Sequence, residues 1–120
     1  MSGDEPEFLT RADLERIHAQ SLHLFGGAAG VRDEGLVHSA LASARNVFLY
    51  GSGDLFDIAA AYAFHVAEAQ AFIDGNKRTA IGAALIFLDM NGIVKRPNND
   101  ALYDAMIAVA NKQLKVPRRL

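Results

Sequence analysis

Five consecutive positions, Asp74 to Arg78, hold a carboxylate, a glycine, a carboxamide and two cations, in the order Asp-Gly-Asn-Lys-Arg. Nearly uncharged stretches with helical patterning lie on both sides. At the start of a helix, these residue types suit the binding of an anion. A helix start carries backbone N–H groups with no intrahelical partner, together with the positive end of the dipole. Gly75 lets the backbone approach a phosphate closely, and Lys77 and Arg78 add charge. The same residues also fit a plain turn with an N-cap and a solvated first turn. The cations weigh against that plainer reading. The dipole disfavours each of them in a first turn by roughly a few tenths of a kcal/mol unless something anionic is bound.

The elements that must position these groups are helices. Thr10 and Asp13 resemble a capping arrangement, and Leu14, Ile17, Leu22 and Phe25 can share one helical face. Gly26-Gly27-Ala-Ala-Gly30 ends that helix. Asp33 is the expected cap of a second helix, in which Leu36, Ala40, Leu41, Ala44, Val47 and Phe48 follow at helical intervals. Gly51-Ser-Gly53 breaks the chain, and an alanine-rich helix is predicted from about Asp54 to Ala71. Another is predicted from about Asn76 to Met90, stopped by Asn91-Gly92. Both are apolar on nearly every side, which places them at the centre of the domain with the Asp74–Arg78 loop between them. A brief extended piece at residues 93–95 and a last helix over about 100–111, capped by Asn98 or Asn99, complete the pattern. No strong strand and no repeat interrupts it. The expected fold is all-α.

Composition narrows the function classes. The chain has 120 residues, of which 51% are hydrophobic and 22% charged, and this predicts a single domain over residues 1–120 with loose termini at 1–7 and 112–120. A net charge of -2 gives no basic face for direct nucleic-acid binding; only Lys112 to Arg119 is locally basic. Absence of cysteine removes disulfides and thiolate metal sites. Of the four histidines, His18, His23, His38 and His65, only the first two are near neighbours, and five residues apart is a poor same-face spacing. No apolar run reaches membrane-spanning length and the acidic N-terminus is no signal peptide, so a cytoplasmic location with no membrane partner is expected.

The segment Phe72-Ile-Asp-Gly-Asn-Lys-Arg-Thr-Ala80 resembles the motif of the death-on-curing (Doc) branch of the Fic superfamily, whose members carry such a loop between two central helices. The similarity continues through Ile17-His18, Gly26-Gly27, Gly30-Val-Arg-Asp-Glu-Gly-Leu36 and Ser39-Ala40 upstream, and through Phe87-Leu88 and Asn91-Gly92 downstream. It covers roughly residues 8 to 95. The resemblance implies a compact Fic/Doc-type bundle and a toxin restrained by a small antitoxin protein. Fic proteins transfer AMP from ATP to a protein hydroxyl. Doc-like proteins, with Lys where Fic has its second Gly, transfer the terminal phosphate, with translation elongation factor Tu as the target. Lys77 stands at that discriminating position, and Ile81 stands where Fic proteins have their second Arg. Both favour phosphate transfer over AMP transfer.

By the same resemblance, Phe72, Asp74, Gly75, Asn76, Lys77 and Arg78 are the expected nucleotide-binding residues. Lys77 and Arg78 have catalytic roles as counter-charges, and Asp74 is the candidate ligand for Mg²⁺ carried with ATP. Asp74 is alternatively a helix cap, and Asn76 binds phosphate or closes the turn. The sequence departs from the family at one decisive place. Its general-base His falls at Gln70, which has no titratable group near neutrality. Losing such a base typically costs about 10²–10⁴-fold in rate. Ala71 also replaces a Pro common in Fic loops. His65 and Glu68 lie off the helical face of position 70 and offer no obvious substitute. Arg32 and Asp33 cap a helix or support the cleft, and Tyr50 to Gly53 stands where Fic proteins carry a target-docking flap. Two function classes follow: a toxin transferase, and a catalytically degenerate nucleotide- or protein-binding module.

Overall fold

The structure, a computed structural model, describes residues 5–50 and 54–93. The predicted extended piece beyond residue 93, the last helix and the C-terminal tail lie outside the described residues, as do residues 51–53 of the suggested flap. Among these described residues, four helices run in the order α1 (Arg11–Phe25), α2 (Glu34–Tyr50), α3 (Leu55–Ala69) and α4 (Asn76–Met90). Among the described residues there is no strand beyond an antiparallel pairing of Val31 with Phe72.

The α3–α4 hairpin is the centre, as its two apolar sequences require. Ile58, Tyr62 and Val66 of α3 and Ala80, Ala84 and Phe87 of α4 are buried, with Ala60 and Phe64 half-buried at the margin. α2 packs on the far side of α3, and α1 lies along α4. Small side chains such as Ala59, Ala63, Ala80 and Ala83 line the central helices. The large side chains Tyr62 and Phe87 interlock between them, with ring centroids 5.2 Å apart. Truncating Phe87 to Ala would cost about 3–5 kcal/mol.

The helix ends follow the sequence signals. Thr10 and Asp13 form a reciprocal capping box at the start of α1, and Asp54 and Asp57 form another at the start of α3. Asp33 caps α2 by accepting the Leu36 N–H at 3.1 Å. Gly26 closes α1, its N–H donating to the Leu22 carbonyl at 2.7 Å. Two boundaries differ from expectation. α3 is shorter than the predicted 54–71, because Asp54 is an extended N-cap and Gln70 turns into the left-handed region. The N-terminal stretch is also tied down earlier than a loose 1–7 implies. The Asn91 carboxamide accepts the Glu7 N–H at 2.7 Å and donates to the Glu7 carbonyl at 3.0 Å. Leu9 N–H then donates to the buried Tyr62 hydroxyl at 2.9 Å. No helix among the described residues is long and apolar enough to cross a membrane.

Candidate functional site

The start of α4 differs from the starts of α1, α2 and α3. Its N-cap is Gly75, in the left-handed region at φ 76°, ψ 19°, with no side-chain bond to the first turn and no acidic residue there. The free N–H groups that a Ser, Thr or Asp would otherwise satisfy therefore face outward at Asn76, Lys77 and Arg78. Added to this are two exposed cations. The Arg78 guanidinium rests 4.4 Å above the exposed Phe25 ring, a contact worth about 0.5–1 kcal/mol at such a site. Unsatisfied N–H groups beside cations are the features by which a helix start can attract an anion.

Behind it the loop is held from within. Asn76 uses its carboxamide twice on one residue, accepting the Phe72 N–H at 3.0 Å and donating to the Phe72 carbonyl at 2.9 Å. Its side chain closes the turn, and only its backbone N–H and one amide hydrogen remain for a phosphate. The Phe72 ring is 2% exposed and stacks on His18 at 3.9 Å. It anchors the loop to α1, with its ring packed inside the domain rather than on the exposed face of the loop. His18, itself buried, donates from Nε2 to the Asp74 carbonyl at 2.9 Å. The sequence offered a hint of this only in the adjacent pair Ile17-His18.

Asp74 does not cap α4. One carboxylate oxygen accepts the neighbouring Gly75 N–H at 2.9 Å; the other accepts the Ala28 N–H at 3.1 Å, from the glycine loop after α1. These two backbone donors, first Ala28 and then Gly75, hold its carboxyl below the usual aspartate range, with smaller help from the charges of Arg78 and His18. Gly27 makes the approach possible: it has φ 126°, and a Cβ there would meet an Asp74 oxygen at 2.9 Å and a Leu22 methyl at 3.0 Å. The carboxylate is exposed and keeps lone pairs beyond those two bonds, so it can still take a cation.

Gln70 is exposed, one residue past the end of α3, rather than on its last turn as expected. Its backbone, at φ 49°, ψ 46°, is the one left-handed non-glycine conformation among the described residues, at a cost of about 1–2 kcal/mol. Arg32 closes this helix end. Its Nε and Nη2 donate to the Gln70 carbonyl at 2.8 and 2.5 Å, and Nη2 also reaches the Ala69 carbonyl at 3.3 Å. The Arg32 and Asp33 backbone N–H groups both donate to the Ala71 carbonyl, at 2.7 and 3.1 Å, and Ile73 N–H donates to Gly30 at 3.0 Å. Residues 28–33 and 69–75 thus run together as a two-sided frame.

The sequence now has its context. The Fic/DOC family model matches residues 8–88, which take in α1, α2, α3, both segments of this frame and most of α4. The chain belongs to the Fic/Doc family. Its place in the Doc branch is shown by two relatives. It is 30% identical over 105 residues to the "Protein kinase doc" of Escherichia phage P1, covering 87% of this chain and 82% of the relative. It is 42% identical over 90 residues to "Toxin Doc" of Mycolicibacterium smegmatis, covering 72% of this chain and 66% of that protein. The Doc-branch motif of this chain therefore lies where α3, α4 and the loop after α1 come together.

Other candidate residues fall away from the frame. Tyr50 ends α2 and Asp54 caps α3, so both flanks of the suggested flap lie at the opposite end of α3 from Gln70, about 22 Å along its axis. His65 is half-buried, edge-on to Phe64 with centroids 5.1 Å apart, and burial pushes its imidazole towards the neutral form. Among the described residues no three His, Cys, Asp or Glu side chains group as a metal site.

Proposed function

We propose that this Doc-branch protein is a toxin that transfers the terminal phosphate of ATP to a hydroxyl of translation elongation factor Tu, and that a small antitoxin restrains it. The observation carrying this reading is the uncapped start of α4, with its outward N–H groups and paired cations. Phosphoryl transfer runs through a loose transition state in which positioning and charge neutralisation supply most of the catalysis. The N–H groups of Asn76 to Arg78 hold phosphate oxygens, and Lys77 and Arg78 offset the charge. Asp74 would hold Mg²⁺ brought with the nucleotide, an ion that takes one or two carboxylates and completes its shell with phosphate and water. Bound there, the ion supplies further neutralisation of the phosphates.

In the reaction the bond from the terminal phosphorus to the bridging oxygen of ATP breaks, ADP leaves, and a bond to the target hydroxyl oxygen forms. Gln70 stands where a general base is expected and cannot accept the hydroxyl proton, which passes to the transferred phosphate. It can orient the hydroxyl or a phosphate oxygen by hydrogen bonding. That same residue supports the second reading, a degenerate module that binds nucleotide or protein without transfer.

Incubation of the wild type and Gln70→His with ATP, Mg²⁺ and elongation factor Tu, followed by intact-mass measurement, separates these readings. The expected result is one added phosphate on the target, formed at least about tenfold faster by Gln70→His, the low side of a general base's contribution. One added AMP would replace phosphate transfer with AMP transfer. No addition by either protein, with ATP binding retained, would leave the binding module.

A further inference from the structure

We infer that Arg32 is a positioning residue for the site, holding the peptide at position 70 in the left-handed conformation that turns this side chain out of α3. The inference rests on the proposed role of position 70 at the site, but its structural half is testable without it. Gln70 adopts φ 49°, ψ 46°, a conformation that glycine takes freely and a side chain of this kind rarely does. Some contact must favour it over continuation of the helix.

Arg32 supplies most of the contacts to this helix end, with the Asp33 N–H adding a second bond to the Ala71 carbonyl at 3.1 Å. The planar guanidinium of Arg32 places Nε and Nη2 on the same carbonyl, that of Gln70, at 2.8 and 2.5 Å, and reaches Ala69 as well. Its own backbone N–H takes the next carbonyl, Ala71, at 2.7 Å. Three successive carbonyls at the end of α3 are therefore gripped by residue 32. These are among the acceptors a helix leaves without partners, at the end where a cation is favoured. Continuing the helix through residue 70 would move the Gln70 carbonyl away from this fork and the Ala71 carbonyl away from the backbone N–H groups of Arg32 and Asp33. A lysine carries the charge but presents one point donor, so it cannot reproduce a two-nitrogen grip together with its geometry. Asp33, the next residue, caps α2, and this fixes the backbone from which Arg32 reaches across.

The test uses backbone NMR on the full labelled chain, with transfer assays in the Gln70→His background, where activity is expected to be highest. The φ of residue 70 is read from its carbon shifts and its HN–Hα coupling in the wild type, Arg32→Ala and Arg32→Lys. In Arg32→Ala, residue 70 should lose the positive-φ signature while residues 58–66 keep helical shifts; Arg32→Lys should be intermediate. Transfer by Gln70→His should fall about tenfold or more on adding Arg32→Ala, the scale of a small misplacement of a reacting group, while ATP affinity stays within about twofold. A positive φ at residue 70 that survives Arg32→Ala overturns the inference. So does loss of helical shifts throughout α3, which would make Arg32 a general stabiliser. If Arg32→Ala does not fold, Arg32→Lys decides: an unchanged residue-70 signature with unchanged transfer overturns the inference. If Gln70→His itself shows no transfer, the phosphotransfer reading fails, and the NMR signature alone decides whether Arg32 sets this conformation.

Discussion

At its N-terminal end α3 is finished by its own neighbours: Asp54 accepts the Asp57 N–H at 2.9 Å and Asp57 accepts the Asp54 N–H at 3.0 Å, three residues apart. At its C-terminal end the finishing groups come from Arg32, 37 and 38 positions away in the chain. The first end needs only the local chain to exist. The second exists only when the loop after α1 has docked against the motif, through Asp74 to Ala28, Ile73 to Gly30 and Arg32 to the helix terminus. The site end also carries the costs: left-handed Gln70 and an α4 start at Gly75 without a side-chain cap. A helix end built for stability can be closed locally, whereas an end built to leave N–H groups and a side chain pointing outward must be held by something else. Local conflicts that are offset from a distance are characteristic of functional sites.

Between the two ends of α3, the larger stability effect should come from breaking the long-range closure. Gly27→Ala puts a side chain into a backbone conformation that L residues rarely adopt, and drives its Cβ against Asp74 and Leu22. A loss of about 1–3 kcal/mol is expected in denaturant unfolding, accompanied by weaker ATP binding. Full affinity in a folded Gly27→Ala protein would show that the glycine loop does not shape the site. At the other end of α3, Asp54→Ala removes the local cap and should cost about 1 kcal/mol while leaving ATP affinity unchanged. A parallel loss of affinity there would erase the distinction between the two ends.

The helix ends closed by neighbours were legible in the sequence because a capping box is a pattern over a few residues. Thr10 with Asp13, Asp33, and Asn91-Gly92 were all read correctly from spacing. So was the all-helical order with α3 and α4 at the centre, since their apolar residues appear on nearly every face. The motif showed its chemistry through residue types, and the family similarity was visible in the same residues. What could not be read was which side chains the loop spends on itself. That Asn76 closes the turn was one of two readings left open, and Phe72 packs under His18, 54 positions away, a contact with no local pattern. Gln70 was placed on the last helical turn because nothing in its type signals a left-handed residue, and the reason for that conformation lies with Arg32. The flap suggestion rested on similarity of position in the chain, and the length of α3 carries its flanks to the far end.

The smallest predicted effect is a pH dependence. The Asp74 carboxyl has a folded pKa below its usual value of 3.8, owing first to the Ala28 N–H and then to the Gly75 N–H. Its contribution to stability is therefore whole above that usual value, and is lost as pH falls through the lowered one. Urea midpoints of the wild type and Asp74→Asn should differ at neutral pH and converge in the acid range. A gap that widens on acidification would mean that this carboxylate is not stabilised in the folded state.

The central claim is that the start of α4 binds phosphate, and calorimetric titration with ATP and Mg²⁺ addresses it most directly. The wild type is compared with a Lys77→Ala, Arg78→Ala double variant whose folding is verified by an unchanged helical circular-dichroism spectrum and a cooperative thermal transition. Both side chains are exposed, so the fold should survive their removal. Loss of two charge-assisted contacts should weaken binding at least about tenfold and remove most of the heat. Equal affinity and heat in the two proteins would contradict the account and move the nucleotide site away from Gly75 to Arg78.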